Sequence, residues 1–395
     1  MDIAETKPPW QLISWQKSER PTVATIEYGP WIDKTDIGLS AEKEKITVLE
    51  ENRQWEMAKK MANPYEMVYT HDDPQFHPSL CILRPLSRSY FKMLEILDLA
   101  QFFETTVKSA QKIRTAHVAE GPGGFIQAVV DLAERYNKIV ASASAMTLKA
   151  TDQRVPGWRR ATTYLHKHKE VRLHFGVDGT GDIYNRANQE SFVVHTGTPV
   201  HLFTADGGFD FSVDYKLQEQ RVFHLLVCSA SIGIRVLLKD GVLVIKIFDV
   251  FFESTKIFLC LLGRCFQNWT LYKPAISRPC NSERYFIGRG FRGAVTDILN
   301  VFKQFEENSL KELYPVNIDT ILTTSEKTYI DTYIQSHTDT QIQALQQATK
   351  YASDSSSWYT TQLEAHFKIS MNWCQRFRAP TTIKHPVKLQ VSPRN

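Results

Sequence analysis

The six cysteines of this 395-residue chain, Cys81, Cys228, Cys260, Cys265, Cys280 and Cys374, form no CxxC pair. No His/Cys cluster falls at metal-ligand spacing, so neither a disulfide framework nor a metal site is expected. Most of the thiols lie in apolar runs, where a thiol behaves as a small hydrophobe, as in a reducing compartment. Long apolar runs are also lacking. The most hydrophobic stretch, Gly241 to Gly263, carries Lys246, Asp249, Glu253 and Lys256 along its length, which excludes a membrane span there. Near Met1 there is no basic n-region leading into an apolar h-region, so no secretory signal is expected and the chain reads as soluble. Internal repeats and long low-complexity tracts are absent as well.

What is present is core material. Hydrophobic residues make up 43% and aromatics 11% of the chain, which excludes wholesale disorder. The net charge of +4 permits a nucleic-acid partner without demanding one. Residues 1–75 are polar and Pro-punctuated, with a charged helical stretch from Ala41 to Met61. They read as an N-terminal extension packing on the core, or as a partner surface, with no chemistry of their own. Residues 76–292 alternate short β-rich runs with helical ones, the pattern of βαβ units and a mostly parallel sheet. Strands are expected at Thr115–Glu120, Lys138–Ser144, His201–Ala205, Gly241–Phe248, Trp269–Ile276 and Arg284–Gly288. A long buried helix is expected from Asp214 to Leu238. Residues 293–395 read as a helical extension with a basic tail: after Glu364 the chain carries Lys368, Arg376, Arg378, Lys384, Lys388 and Arg394 and no acid.

The first informative constellation is a strand, then Glu120-Gly121-Pro122-Gly123-Gly124-Phe125, then a helix. Glycines at such a turn admit positive φ and let a ligand approach the backbone. The loop is neither GxGxxG nor a P-loop, which would need Lys-Ser/Thr. Taken alone it could be an ordinary glycine turn. A lysine, Lys246, stands inside an apolar strand, and Asp206 precedes Gly207-Gly208 at the end of another.

His117 to Phe125 resembles the first cofactor motif of FtsJ-like methyltransferases, in which this loop cradles the methionine part of S-adenosylmethionine. Ala145–Lys149 and Gly176–Ile183 resemble the cap-specific branch of that family, found in eukaryotes and large cytoplasmic DNA viruses. By that resemblance Asp182 lies at the adenine. The usual acid at the end of the second Rossmann strand is missing from Ala141–Ser144, so the ribose contact stays unassigned. Ser87–Lys92, Thr204–Gly208, Val244–Phe248 and Lys273–Tyr285 resemble the family's four catalytic motifs in order, which implies a tetrad of Lys92, Asp206, Lys246 and Glu283. The implied fold is α/β, a doubly wound Rossmann-like methyltransferase sheet with helical N- and C-terminal extensions. The implied reaction moves a methyl from S-adenosylmethionine to a ribose 2′-hydroxyl of RNA, with the capped 5′ end of mRNA as substrate, and no metal. It would take place in the cytoplasm, including a viral factory, or in the nucleus. The alternatives are the same chemistry on ribosomal or transfer RNA, and a catalytically silent RNA-binding subunit.

Chemistry gives each member of the tetrad a task. A ribose hydroxyl is essentially un-ionised at neutral pH, so the site must align it with the methyl and take its proton. Burial and the nearby cation of Lys92 both favour the free amine of Lys246, the form that accepts a proton. Asp206 and Glu283 would orient the two lysines, with Asp206 also beside the cofactor's sulfonium and Asp249 structural. For RNA, Ser277 and Arg278 resemble groove-lining residues of the family. Arg154, Arg159, Arg160, Lys167, Lys169 and Arg172, with Trp158 and Tyr164 interleaved, combine cations with aromatics as single-strand binders do. Trp158 or Tyr164 could also stack on a charged cap guanine.

Overall fold

The computed structural model describes residues 7–18, 25–31, 36–51, 54–70, 76–149, 157–208, 218–293 and 296–381. Arg154, Lys384, Lys388 and Arg394 lie outside these residues. The N-terminal region supplies β1 (Gln16–Lys17), β2 (Tyr28–Gly29), α1 (Ile37–Glu51) and α2 (Trp55–Met61). The central region runs α3 (Ser89–Leu99), β3 (Lys112–Val118), α4 (Gly124–Arg135), β4 (Ile139–Met146), α5 (Thr162–Lys167), β5 (Val171–His174) and α6 (Arg186–Thr196). It continues through β6 (Val200–Ala205), α7 (Gln218–Val236), β7 (Leu237–Ile247), α8 (Glu253–Arg264), β8 (Phe266–Tyr272) and β9 (Arg284–Phe291). The C-terminal region holds α9 (Thr296–Ser309), β10 (Tyr314–Pro315), α10 (Ile318–Ile321), α11 (Thr324–Ser353), α12 (Ser355–Thr361) and α13 (Leu363–Arg376).

Eight strands form one sheet in the order β5-β4-β3-β6-β7-β9-β8-β1. From β5 to β7 the neighbours are parallel; β9, β8 and β1 add on antiparallel. The fold is therefore the expected Rossmann-like α/β sheet. The chain winds outward from β3 to β5, then returns to place β6 on the other side of β3. That reversal opens a crevice at the carboxyl ends of β3 and β6, where ligands of such sheets bind.

Side chains alternate between two cores because a strand has a period of two. In β7, Leu243, Ile245 and Ile247 enter the core formed with α7 and α8. Val242 and Val244 enter the opposite core, formed with α3 and α4. Lys246 has the parity of Val242 and Val244, so it emerges on the α3 side at the strand's carboxyl end. Tyr285, its direct partner across β9, sits on the same face.

Several boundaries differ from the sequence reading. The expected helix to Leu238 ends at Val236, because Leu237 pairs with Val200 and starts β7 without a loop. Ala41–Met61 is two helices, and the strand expected to reach Ile276 stops at Tyr272. The four-residue β5 was missed, and it takes in Arg172, the last residue of the basic run. Arg172 is exposed there and donates to Ser144 Oγ at 3.2 Å. A capping box between Thr323 and Glu326 starts the 30-residue α11, of which only the stretch near Ile342 was legible. Among the described residues, no helix is long and apolar enough to cross a membrane.

The C-terminal region is tied to the central one through Glu95 of α3. This fully buried carboxylate accepts from Tyr272 Oη (2.6 Å), Ala275 N (2.7 Å), Ile276 N (3.0 Å) and Trp373 Nε1 of α13 (2.6 Å). Burial pushes it up to about 7 against the pull of these four donors. The folded chain thus holds a proton between pH 4.5 and 7 that the unfolded chain has lost, so Glu95 makes stability fall as pH rises through that window. Glu95→Gln should remove this limb of the stability–pH curve. It should also cost about 2–4 kcal/mol in urea denaturation, since one amide N–H₂ would face two donors. A variant as stable as the parent at pH 7.5 would refute this account.

Candidate active site

The site is built where the carboxyl ends of β3, β6 and β7 meet α3 and the loop before β9. At its rear is the glycine loop. Gly123 takes φ 101°, and a Cβ on Gly124 would lie 2.3 Å from both Ser87 Oγ and Ser89 Oγ. The loop is therefore pressed onto the start of α3, and only glycine fits. Glu120 is buried beneath it. Its Oε1 accepts from the Thr204 hydroxyl, which is 2.7 Å from His117 Nδ1, on the strand pair that aligns His117 with Thr204. Glu120 Oε2 lies 3.3 Å from His117 Nδ1 yet is buried without a hydrogen bond. Burial raises this carboxyl, with His117 opposing. Phe125 is buried against Tyr285, with ring centroids 5.7 Å apart.

The two segments flanking the end of β4 are brought together. Lys149 N donates to Thr180 O at 2.6 Å. Asp178 accepts from Thr180 N and Oγ1 and from the Asn185 and Asn188 amides, which fixes the turn. Asp182 follows it half-buried, its carboxylate capping Tyr184 N at 2.9 Å.

All four members of the tetrad converge. Lys246 Nζ donates to Asp206 O at 2.7 Å and lies 3.3 Å from Asp206 Oδ1. The same Oδ1 accepts from Tyr285 Oη at 2.9 Å. Gly208 permits the approach, since a Cβ there would stand 3.3 Å from Lys246 Nζ. Lys92 Nζ lies 2.6 Å from Glu283 Oε1 and donates to Oε2 at 2.8 Å. Ser277 Oγ donates to Glu283 Oε1 at 2.9 Å. Burial would raise Glu283, but Lys92, Lys246 and Lys273 outweigh it and hold the carboxyl at about 2. It stays an anion at any working pH. The two ion pairs lie side by side with their side chains 12–14% exposed, open enough to meet a substrate.

The remaining expectations divide. Ser277 is buried and aimed at Glu283. Arg278 is occupied by a bidentate pair with Glu66, at 2.7 and 3.1 Å. Arg159 and Arg160 are exposed on the surface. Trp158 is half-buried, its ring 3.2 Å from where a Gly123 Cβ would be and its indole nitrogen buried, so it packs beside the glycine loop. Tyr164 is half-buried, stacked on His168 at 4.1 Å with its hydroxyl buried.

Sequence reasoning missed four contributors. Lys273 donates to Asn281 O (2.7 Å), Asn281 Oδ1 (2.8 Å) and Glu283 O (3.0 Å), shaping the turn that carries Glu283. Tyr285 holds Asp206, as described. Lys43 of α1 pairs with buried Asp249 at 3.0 Å and donates to Ser282 Oγ at 3.2 Å, which joins α1 to the loop before β9. Glu66 takes two arginines. Lys273 and Tyr285 stood within the fourth motif, but Lys43 and Glu66 belong to the region read as chemically silent.

With this geometry in place, residues 85–291, more than half of the chain, match the FtsJ-like methyltransferase family. The chain belongs to that family. Its curated relatives include cap-specific mRNA (nucleoside-2′-O-)-methyltransferase 1 of Xenopus laevis, 30% identical over 269 residues covering 63% of this chain and 29% of that one. The Drosophila melanogaster protein of the same name is 26% identical, covering 59% and 32%. That of Homo sapiens is 32% identical, covering 48% and 23%. The chain spans less than a third of the length of these relatives. Among solved structures, a protein described as a ribosomal RNA methyltransferase of Plasmodium falciparum aligns at 15% identity with a TM-score of 0.33, covering 53% of this chain and 99% of that one. That match is too distant to bear on function.

Lys273 offers a direct test of the site's electrostatics. Burial, opposed by Glu283, draws its ammonium down to about 7 from 10.5. Between those values the unfolded chain keeps a proton that the folded chain has released, so Lys273 makes stability rise with pH. In Lys273→Met the gap between urea midpoints at pH 7 and pH 9.5 should shift by the loss of that rise. A gap identical to the parent's would contradict the assignment.

Proposed function

We propose that this chain transfers a methyl group from S-adenosylmethionine to a ribose 2′-hydroxyl of RNA at the capped 5′ end of mRNA. The observation that carries the reading is the pairing of Lys246 with Asp206 and of Lys92 with Glu283 beside the glycine loop. The loop suits the cofactor. Glu120 Oε2, 3.3 Å from His117 Nδ1 and without a hydrogen bond, is a buried acceptor suited to an α-ammonium. Glu120–Phe125, Asp182 and Asp206 would hold the methionine, adenine and sulfonium portions. When bound, the cofactor supplies an electrophilic methyl on a sulfonium.

This chain's residues then handle the other half of the reaction. Lys246 is placed to take the hydroxyl proton as the ribose oxygen gains the methyl that the cofactor would supply. The Asp206 carboxylate and carbonyl, both within reach of Lys246 Nζ, would hold the ammonium so formed. Tyr285 keeps Asp206 from rotating away. Lys92, fixed by Glu283 and in turn by Ser277, orients the ribose and adds positive charge where the oxygen gains negative charge. Arg159 and Arg160 lie exposed on the surface, from which a phosphate backbone would be met.

The cap assignment rests on the names of the relatives and on the motifs around Asp182 and Ser277. Mass spectrometry of short capped and uncapped RNAs, incubated with protein and cofactor, should show one methyl added to a cap-proximal ribose of the capped species. Equal methylation of both would overturn the cap assignment; methylation of neither would overturn the reaction. Lys246→Ala should lower turnover by about 10²–10⁴-fold while cofactor affinity stays near that of the parent. Undiminished turnover would exclude Lys246 as the base.

A further inference from the structure

Glu66 lies outside the family-matched segment, in the helical turn Glu66–Val68 of the N-terminal region. Its carboxylate is completely buried. Arg278 donates through Nε to Oε2 (3.1 Å) and through Nη2 to Oε1 (2.7 Å). Arg88 Nη2 stands 3.1 Å from Oε2, and Asn63 Nδ2 donates to the same oxygen at 2.8 Å. Arg88 also donates to Tyr69 O and to Ile276 O, the latter at 2.9 Å. These contacts reach both arms of the Lys92–Glu283 pair. Arg88 immediately precedes α3, one helical turn before Lys92. Ile276 and Arg278 flank Ser277, which holds Glu283. Two guanidiniums, with side chains 16% and 23% exposed, converge on one fully buried carboxylate, so removing that carboxylate leaves two like charges facing each other without their shared counter-charge.

We propose that Glu66 is a positioning residue for methyl transfer, a carboxylate from the N-terminal region that fixes the distance between α3 and the 276–283 loop, and so the Lys92–Glu283 geometry. This rests on the functional reading above. Burial would raise the Glu66 carboxyl, but Arg88 and Arg278 hold it at about 2, so the clamp keeps its charge throughout the neutral range. Glu66 touches neither reacting group and acts only through the two arginines.

The test uses the full chain with Glu66→Gln, which keeps shape and removes charge. Expected are a kcat about 10- to 100-fold lower, as for a reacting group displaced by about an ångström, and cofactor affinity and RNA KM within about threefold of the parent. Hydrogen exchange of residues 274–284 should quicken while that of β3 and β6 is unchanged. A folded variant with parental kcat, or one whose exchange rises evenly across the sheet, overturns the proposal. Should Glu66→Gln fail to fold, the double variant E66Q/R278M removes the stranded second cation; it should fold with the same kcat deficit, and parental kcat in it is equally decisive against the clamp. If the parent methylates no RNA, the functional reading fails, while the exchange measurement still reports whether Glu66 holds the loop.

Discussion

Two lysines and two carboxylates can share a half-buried space only if each charge is compensated where it stands. Separating a charge from water is expensive, and an unpaired ammonium in such a site would be lost to its neutral form or would pull the structure open. Here the pairs Lys246–Asp206 and Lys92–Glu283 meet that demand at separations of 3.3 and 2.6 Å. Everything nearby serves to hold the four groups at those separations. The parity of β7 and β9 puts Lys246 and Tyr285 on one face, and Gly208 yields the room. Ser277, Lys273 and Asn281 shape the turn that ends at Glu283.

A second ring of buried charges surrounds the first. Glu95, Glu66 and Asp249 each accept at least one hydrogen bond from the loop between β8 and β9 that carries Glu283. Each also reaches a terminal region: Glu95 through Trp373, Asp249 through Lys43, and Glu66 by its own position in the chain. The terminal regions are thus joined to the family core by polar contacts at the site, as well as by the apolar cores that Leu39, Ile46, Ile330 and Leu345 enter on one face and Trp373 on the other. This is an expensive way to build an interface. It fixes orientation in a way that oily contact alone does not, because a carboxylate accepting several directed hydrogen bonds tolerates little displacement.

Much of the central sheet was legible because it obeys local rules. Six strands showed as short apolar runs bounded by turns, and the glycine loop lay at a strand-to-helix junction as its chemistry requires. The misses have physical causes. β5 has four residues within a charged stretch, too few for a period of two to rise above background. The boundary between α7 and β7 was invisible since Leu237 and Leu238 suit either element. The basic run read as one surface, without a sign that its last residue, Arg172, stands in a strand or that the Trp158 indole nitrogen and the Tyr164 hydroxyl are buried.

By itself the sequence determined the family, six strands of the central sheet, the glycine loop and the four residues that form the two ion pairs, Lys92, Asp206, Lys246 and Glu283, because these sit in short motifs whose residues are neighbours in the chain. Tertiary structure alone decided who supports them. Glu66 and Arg278 are 212 positions apart, and Lys43 and Asp249 are 206. An ion pair across such a span leaves no periodicity and no local composition to read, since either partner would look the same if it faced water. Only the closing of the chain on itself turned an apparently silent N-terminal region into part of the site.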